Sequence, residues 1–102
     1  MDMSERKWKN KPIFFIIHAA EQFLQRKIPE EETVRMLKKG VHIGDPNSEG
    51  RMLCIYKEDE HKYYTIVYEE DKEKIAIITG FPSNQWDITQ YKKVKKWQKK
   101  KA

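Results

Sequence analysis

The spacing of hydrophobic residues changes from helical to strand-like near residue 40. Before that point, apolar side chains recur three or four positions apart, at Ile13, Ile17, Ala20 and Leu24. This period is typical of an amphipathic helix that buries one stripe of its surface. The pattern predicts a first helix over about residues 12–27.

A second helix is predicted between Pro29 and Gly40. The acidic run Glu30 to Glu32 complements the positive N-terminal end of a helix dipole, and Lys38 and Lys39 complement the negative C-terminal end. Proline suits the first turn of a helix, and glycine commonly ends one. Both ends of this helix are therefore indicated by the sequence.

After Gly40, short segments rich in β-branched and aromatic residues predict four strands, at residues 41–43, 51–57, 62–69 and 74–81. The charged connections between the last three are short, which favours antiparallel hairpins. We therefore expect an α+β fold in which two N-terminal helices pack on an antiparallel sheet of about four strands. This domain would span residues 1–87, and residues 88–102 would form a lysine-rich C-terminal tail.

The strand pairing decides which side chains share a face. Pairing Lys57 with Lys62 and Glu69 with Lys74 predicts one face carrying Arg51, Lys57, Tyr64, Tyr68 and Thr79, with Tyr64 opposite Thr79. A shift of one residue would reverse this assignment, because side chains alternate between the two faces of a strand.

Composition limits the class of protein. A chain of 102 residues with 38% hydrophobic residues can form one modest core. No apolar run approaches eighteen residues, so no membrane span is expected. The single cysteine, Cys54, allows no internal disulfide, and we expect a soluble cytoplasmic protein.

The net charge of +5 is concentrated at the C-terminus. Residues 88–102 contain seven lysines and no acidic residue, whereas the rest of the chain has 14 basic and 16 acidic residues. Lys92, Lys93 and Lys96 belong to this segment and are candidates for binding a polyanion. A solvated tail that only aids solubility remains an equal alternative.

His18 is the strongest candidate for catalysis, because it lies outside the predicted apolar stripe and imidazole exchanges protons near neutral pH. RNA carries its own nucleophile, the 2′-hydroxyl, so cleavage requires only a base, a cation and hydrogen bonding. His18, Arg51 and Thr79 can supply these groups. Tyr64 or Lys57 would support them.

Trp86 adds to the hypothesis of RNA cleavage, and the histidine, cysteine and glycine positions argue against a metal or nucleotide cofactor. Trp86 is a candidate platform for base stacking, although tryptophan also anchors many cores. The three histidines are far apart in sequence and there is no cysteine pair, so no metal is expected. The four glycines form no phosphate-binding fingerprint, and no cofactor is predicted.

Residues 17 to 81 resemble a family of small bacterial and archaeal domains with a His-Ala-x-x-Arg-x-x-x-Arg-x-Ile helix, an acidic second helix and later strands with a threonine. His18, Arg26 and Ile28 match the helix pattern, and Gln22 stands where the pattern has its first arginine. These domains look like members of the barnase, EndoU, colicin and RelE group of ribonuclease toxins, including the colicin D type that cleaves tRNA.

The resemblance implies helices on a curved antiparallel sheet, and metal-independent RNA cleavage. It also implies that Gln22 and Arg26 lie at the substrate phosphates, and that an acidic antitoxin or immunity protein is a partner. We therefore predict a small RNA endonuclease acting on tRNA or mRNA. Two alternatives stay open: a noncatalytic nucleic-acid-binding module that uses the tail, and a protein-interaction domain that uses the acidic second helix.

Overall fold

The computed structural model describes residues 6–101 and contains a six-stranded sheet with helices on both faces. In chain order, the elements are β1 Lys7–Trp8, β2 Lys11–Phe15, α1 Ile17–Gln25, α2 Thr33–Lys39, β3 Val41–Gly44, β4 Arg51–Asp59, β5 Lys62–Glu70, β6 Ile75–Pro82 and α3 Gln85–Lys101. The strand order is β1-β2-β6-β5-β4-β3. Only β2 and β6 pair in parallel, and every other neighbouring pair is antiparallel.

The predicted fold of two N-terminal helices on a four-stranded antiparallel sheet is wrong. The described sheet has six strands and is mixed, and a third helix follows it at the C-terminal end. Of the two additional strands, β2 overlaps the start of the segment that was predicted as helix, and β1 precedes that segment. The fold is α+β with helices in two layers about one sheet.

The first helix begins five residues later than predicted. Residues 11–15 form β2, in which Ile13 pairs with Ile75 of β6. This pairing joins positions far apart in sequence, so no local pattern could indicate it. The buried residues of α1 are Ala19 and Phe23, whereas Ile17 is 78% exposed and was expected to be buried.

A tight turn sets the direction of β2. Lys9 and Asn10 link β1 to β2 with φ values of 58° and 65°. Two successive residues with positive φ are typical of the two-residue turns that match the twist of a hairpin, and asparagine tolerates this conformation well. The hairpin delivers β2 alongside β6.

The second predicted helix is confirmed, with a 3₁₀ turn at Glu30–Glu32 leading into α2 and Gly40 directly after it. The four later segments are also strands, and β4, β5 and β6 form the expected antiparallel hairpins. These elements are encoded by local signals, which explains why the sequence predicted them.

The predicted register is wrong by one residue between β4 and β5 and by two to three residues between β5 and β6. Lys57 pairs with Tyr63, and Thr79 pairs with Val67. A bulge between Val67 and Tyr68 also shifts the pairing of β5 with β6. Arg51, Lys57 and Thr79 therefore share one face, as predicted, but Tyr64 and Tyr68 lie on the opposite one.

The core lies between the sheet and helices α1 and α2. Phe23 and Met36 from the helices meet Ile66 and Ile77 from the sheet, and all four are fully buried. Gly80 allows α1 to approach β6 closely, because a Cβ atom there would lie 2.3 Å from Cε1 of Phe23. This close approach brings the polar face of α1 beside the edge of β6.

Helix α3 covers the other face of the sheet. Its start is fixed by a reciprocal capping box, in which the amide of Asp87 donates to Oδ1 of Asn84 at 2.8 Å and the amide of Asn84 donates to Oδ2 of Asp87 at 3.1 Å. The buried Asp87 carboxylate also accepts a hydrogen bond from the Thr65 hydroxyl at 3.0 Å. The ring of Tyr91 then packs edge to face on Tyr63, with 5.4 Å between centroids.

Candidate functional site

A cleft of about 630 Å³ opens between the face of the sheet, the loop before β4 and the start of α3. We call it the Thr79 cleft. It is lined by Asp45, Pro46, Asn47, Arg51, Leu53, Val67, Thr79, Phe81, Asn84, Trp86 and Asp87. Three residues that the sequence singled out, Arg51, Thr79 and Trp86, therefore lie in one concave site.

Thr79 joins this cleft to helix α1. Its hydroxyl donates a hydrogen bond to Oε1 of Gln22, and Nη1 of Arg26 lies 3.5 Å from the same hydroxyl oxygen. Nη1 of Arg26 also donates to the carbonyl of Gly80 at 2.6 Å. Because guanidinium has five donors, these contacts leave it able to bind an anion as well. A cation and an amide therefore flank the threonine.

His18 is exposed on α1 and lies in the same row as these two residues. Residues four apart on a helix are neighbours, so His18 is adjacent to Gln22, and Gln22 to Arg26. His18 does not line the Thr79 cleft among the described residues. The structure thus places it one helical turn from the contact between Gln22 and Thr79.

Arg51 is held at the opposite wall of the cleft. Its Nε lies 3.2 Å from Oε2 of Glu69, and both side chains are about half exposed. An exposed ion pair of this kind contributes about 0–1 kcal/mol, so a phosphate can replace the carboxylate at small cost. Arg51 is therefore available to an anion that enters the cleft.

Asn84 and Asp87 are cleft residues that the sequence did not single out. Asn84 and Asp87 form both the capping box and a wall, and the adjacent Trp86 is 45% exposed. The Asn-x-x-Asp spacing is a helix-start signal, and it would have indicated a helix from residue 85. Trp86 then follows as a residue of the first turn, where it is held at the rim.

A second depression runs between α3 and the β4–β5 hairpin. We call it the lysine groove. It measures about 460 Å³ and is lined by Lys57, Glu60, Tyr63, Tyr91, Lys92, Lys95, Lys96 and Lys99. Lys57, Lys92 and Lys96 were predicted to bind substrate, and the fold brings them together from the sheet and from the helix.

Four predicted substrate-binding residues line neither depression: Gln22 and Arg26, which contact Thr79, and Tyr64 and Lys93. Tyr64 lies on the face of the sheet that packs against α1 and α2, where it borders the core. The one-residue difference in register is the physical reason. Lys93 is exposed on α3 but does not line the lysine groove in the described part of the chain.

Burial shifts the pKa of His42 and of Cys54, and both residues lie away from the two depressions. Burial lowers the pKa of His42, whose Nε2 donates to the carbonyl of Leu37 at 2.7 Å and whose Nδ1 accepts from the hydroxyl of Tyr68 at 2.8 Å. Its ring also stacks on Trp8. Burial raises the pKa of Cys54 to about 12, so this thiol is not a nucleophile near neutral pH.

Two features are absent from residues 6–101. Within this range, no group of three His, Cys, Asp or Glu side chains is placed to hold a metal ion. No helix in this part of the chain is both long and apolar enough to cross a membrane.

No protein-family model, curated protein or solved structure matches this chain. Its function therefore has to be argued from its own residues and their geometry.

Proposed function

We propose that this protein is a metal-independent RNA endonuclease that binds the scissile phosphate in the Thr79 cleft. One observation carries the proposal: the Thr79 hydroxyl lies where Gln22 and Arg26 of α1 meet the cleft that contains Arg51 and Trp86. Residues far apart in the sequence thus converge on one hydroxyl. Their chemistry suits a phosphodiester.

The reaction needs few groups from the protein. His18 takes the proton of the 2′-hydroxyl, the 2′-oxygen forms a bond to phosphorus, and the bond from phosphorus to the 5′-oxygen breaks. The leaving 5′-oxygen takes a proton from water in the open cleft. The products are a 2′,3′-cyclic phosphate and a 5′-hydroxyl.

Arg51 and Arg26 stabilise the negative charge that gathers on the phosphate oxygens, because preorganised cations act most strongly where charge develops. The Thr79 hydroxyl, which donates to Gln22 in the free protein, would turn to donate its one hydrogen bond to the same oxygens. Trp86, half exposed at the rim, offers a ring on which a neighbouring base can stack. Arg51, Thr79 and Trp86 line the cleft, Arg26 contacts Thr79 from outside the lining, and His18 is one helical turn from Gln22.

The second candidate function is noncatalytic binding of nucleic acid. It is favoured by the lysine groove, which has five lysines and one glutamate and contains none of the residues assigned to cleavage. A positively charged groove with an aromatic wall suits a nucleic acid backbone without any chemistry. The two candidates differ in whether His18 is required.

The cellular setting completes the proposal. We place the protein in the cytoplasm, where its RNA substrates are tRNA or mRNA, and we expect an acidic antitoxin or immunity protein to cover its basic surface. A nuclease of this kind slows growth when it is expressed without that partner.

Incubation of the purified protein with total RNA in EDTA tests the enzymatic proposal. We expect fragments that end in 2′,3′-cyclic phosphate, and we expect a substrate with 2′-deoxyribose at the scissile position to resist. Intact RNA at high protein concentration, with binding retained, would support the noncatalytic candidate instead.

A further inference from the structure

The lysine groove concentrates positive charge from two elements of the fold. Lys57 comes from β4, and Lys92, Lys95, Lys96 and Lys99 come from one side of α3. The only acidic group in the lining is Glu60, which pairs with Lys57 at 3.0 Å and is 82% exposed. Such an exposed carboxylate is readily displaced by another anion.

The lysines of α3 also repel one another. Lys92 and Lys96 are four residues apart, as are Lys95 and Lys99, and like charges at this spacing destabilise a helix. The only acidic residue of α3 is Asp87, which is buried at the far end. A row of phosphates in the groove would therefore relieve a repulsion that the free protein retains.

The groove and the Thr79 cleft are each lined in part by α3, and they share no lining residue. The first turn of α3 contributes Trp86 to the cleft, and later turns contribute Lys92 to Lys99 to the groove. At 1.5 Å per residue, Trp86 and Lys99 are about 20 Å apart along the axis. A stacked strand with a rise of 3.4 Å per nucleotide covers this distance with about six nucleotides.

We infer that the lysine groove binds the single-stranded flank of the RNA whose scissile phosphate lies in the Thr79 cleft, an inference that rests on the proposed function. The half-buried ring of Tyr91 forms one wall, with the ammonium of Lys95 5.7 Å from its centroid. A single strand presents unpaired bases to such a ring, whereas a duplex keeps its bases stacked inside. The substrate therefore needs about six unpaired nucleotides on one side of the cleavage point.

Binding of an uncleavable strand tests the groove without relying on catalysis. The probe is a fluorescent 2′-O-methyl oligonucleotide of twelve residues, followed by anisotropy across a salt series. Lys57→Gln and Lys96→Gln should each lower the slope of log affinity against log salt by about 0.7, and the double variant by about 1.4. Circular dichroism checks that α3 remains helical.

Lys100→Gln is the matched control, because it removes the same charge from the same helix outside the groove. Its slope should remain close to that of the parent. Equal losses from Lys96→Gln and Lys100→Gln would indicate only diffuse attraction to a charged tail. No loss from Lys57→Gln, or equally tight binding of a duplex of the same length, would also overturn the inference.

Cleavage then tests the required length. KM should fall as the unpaired flank is extended to about six nucleotides on one side of the scissile bond, and should be constant beyond that. Extension on the other side should have little effect. Groove-dependent binding without any cleavage would refute the proposed endonuclease function but not the inference that the groove binds RNA. Cleavage that does not depend on Lys57, Lys96 or flank length would refute only the inference about the groove.

Discussion

The hydroxyl of Thr79 on β6 donates a hydrogen bond to the side-chain oxygen of Gln22 on α1, across a separation of 57 residues. Gln22 occupies the position at which the family pattern described above has arginine. Its amide anchors α1 to the edge of the sheet, and Arg26, one turn later, reaches the same threonine. The neutral side chain of Gln22 therefore has a structural role and adds no positive charge beside the cleft.

A cation at position 22 should strengthen RNA binding. Gln22→Arg adds a charge beside Thr79, and we expect the slope of log affinity against log salt to rise by about 0.7 for a single strand. Gln25→Arg is the control, since Gln25 is exposed on α1 outside the row that faces Thr79. Filter binding across a salt series measures both, and an equal change from the two variants would argue against a phosphate at this position.

Substitution of His18 should separate activity from stability. Loss of a general base typically reduces a rate by about 10²- to 10⁴-fold. The side chain is exposed, so His18→Ala should change the free energy of unfolding by about 0.5 kcal/mol or less. His61→Ala, in the exposed turn between β4 and β5, should have neither effect. RNA cleavage by His18→Ala at the parent rate would remove His18 from the mechanism.

A methyl group at Gly80 should push α1 away from β6. The added Cβ would lie 2.3 Å from Cε1 of Phe23, and overpacking of this kind costs about 1–3 kcal/mol. Shortening the opposing side chain in Gly80→Ala/Phe23→Leu should recover part of that loss. Urea denaturation of the four proteins gives the coupling energy, and strictly additive effects would show that the two residues do not clash.

The stability of the fold should decrease below about pH 6.5. Burial lowers the pKa of His42, so the unfolded chain binds a proton at a higher pH than the folded protein does. The contribution is present above the unfolded pKa of about 6.5 and is lost as the pH falls through the lowered folded value. Thermal melts between pH 8 and 5.5 should show this decrease, and His42→Gln should flatten it. An unchanged slope in that variant would assign the effect to other groups.

Removal of the Asp87 carboxylate should loosen the start of α3. The carboxylate accepts hydrogen bonds from the Thr65 hydroxyl and the Asn84 amide, and loss of a side-chain helix cap costs about 0.5–2 kcal/mol. Asp87→Ala should lower the urea midpoint accordingly. Gln98→Ala, on the exposed end of the same helix, should leave it nearly unchanged, and equal midpoints for the two variants would contradict the role of the cap.

The sequence by itself determined the elements whose signals are local. The glutamates and Gly40 indicated both ends of α2, and the alternating segments after it indicated β4, β5 and β6 with their short turns. In each case the residues that decide the structure are neighbours along the chain. The segregation of lysines into the C-terminal segment was also visible in the sequence alone.

Tertiary structure decided the rest. Parallel pairing of β2 with β6 joins Ile13 to Ile75, which converts a segment with helical spacing into a strand. Thr79 pairs with Val67, three residues from the predicted Tyr64, and this register, with its bulge, placed Thr79 and Tyr64 on opposite faces. Gln22 and Arg51 come close to Thr79 only because elements distant in the sequence pack together. Local periodicity contains no information about which distant elements pack against each other.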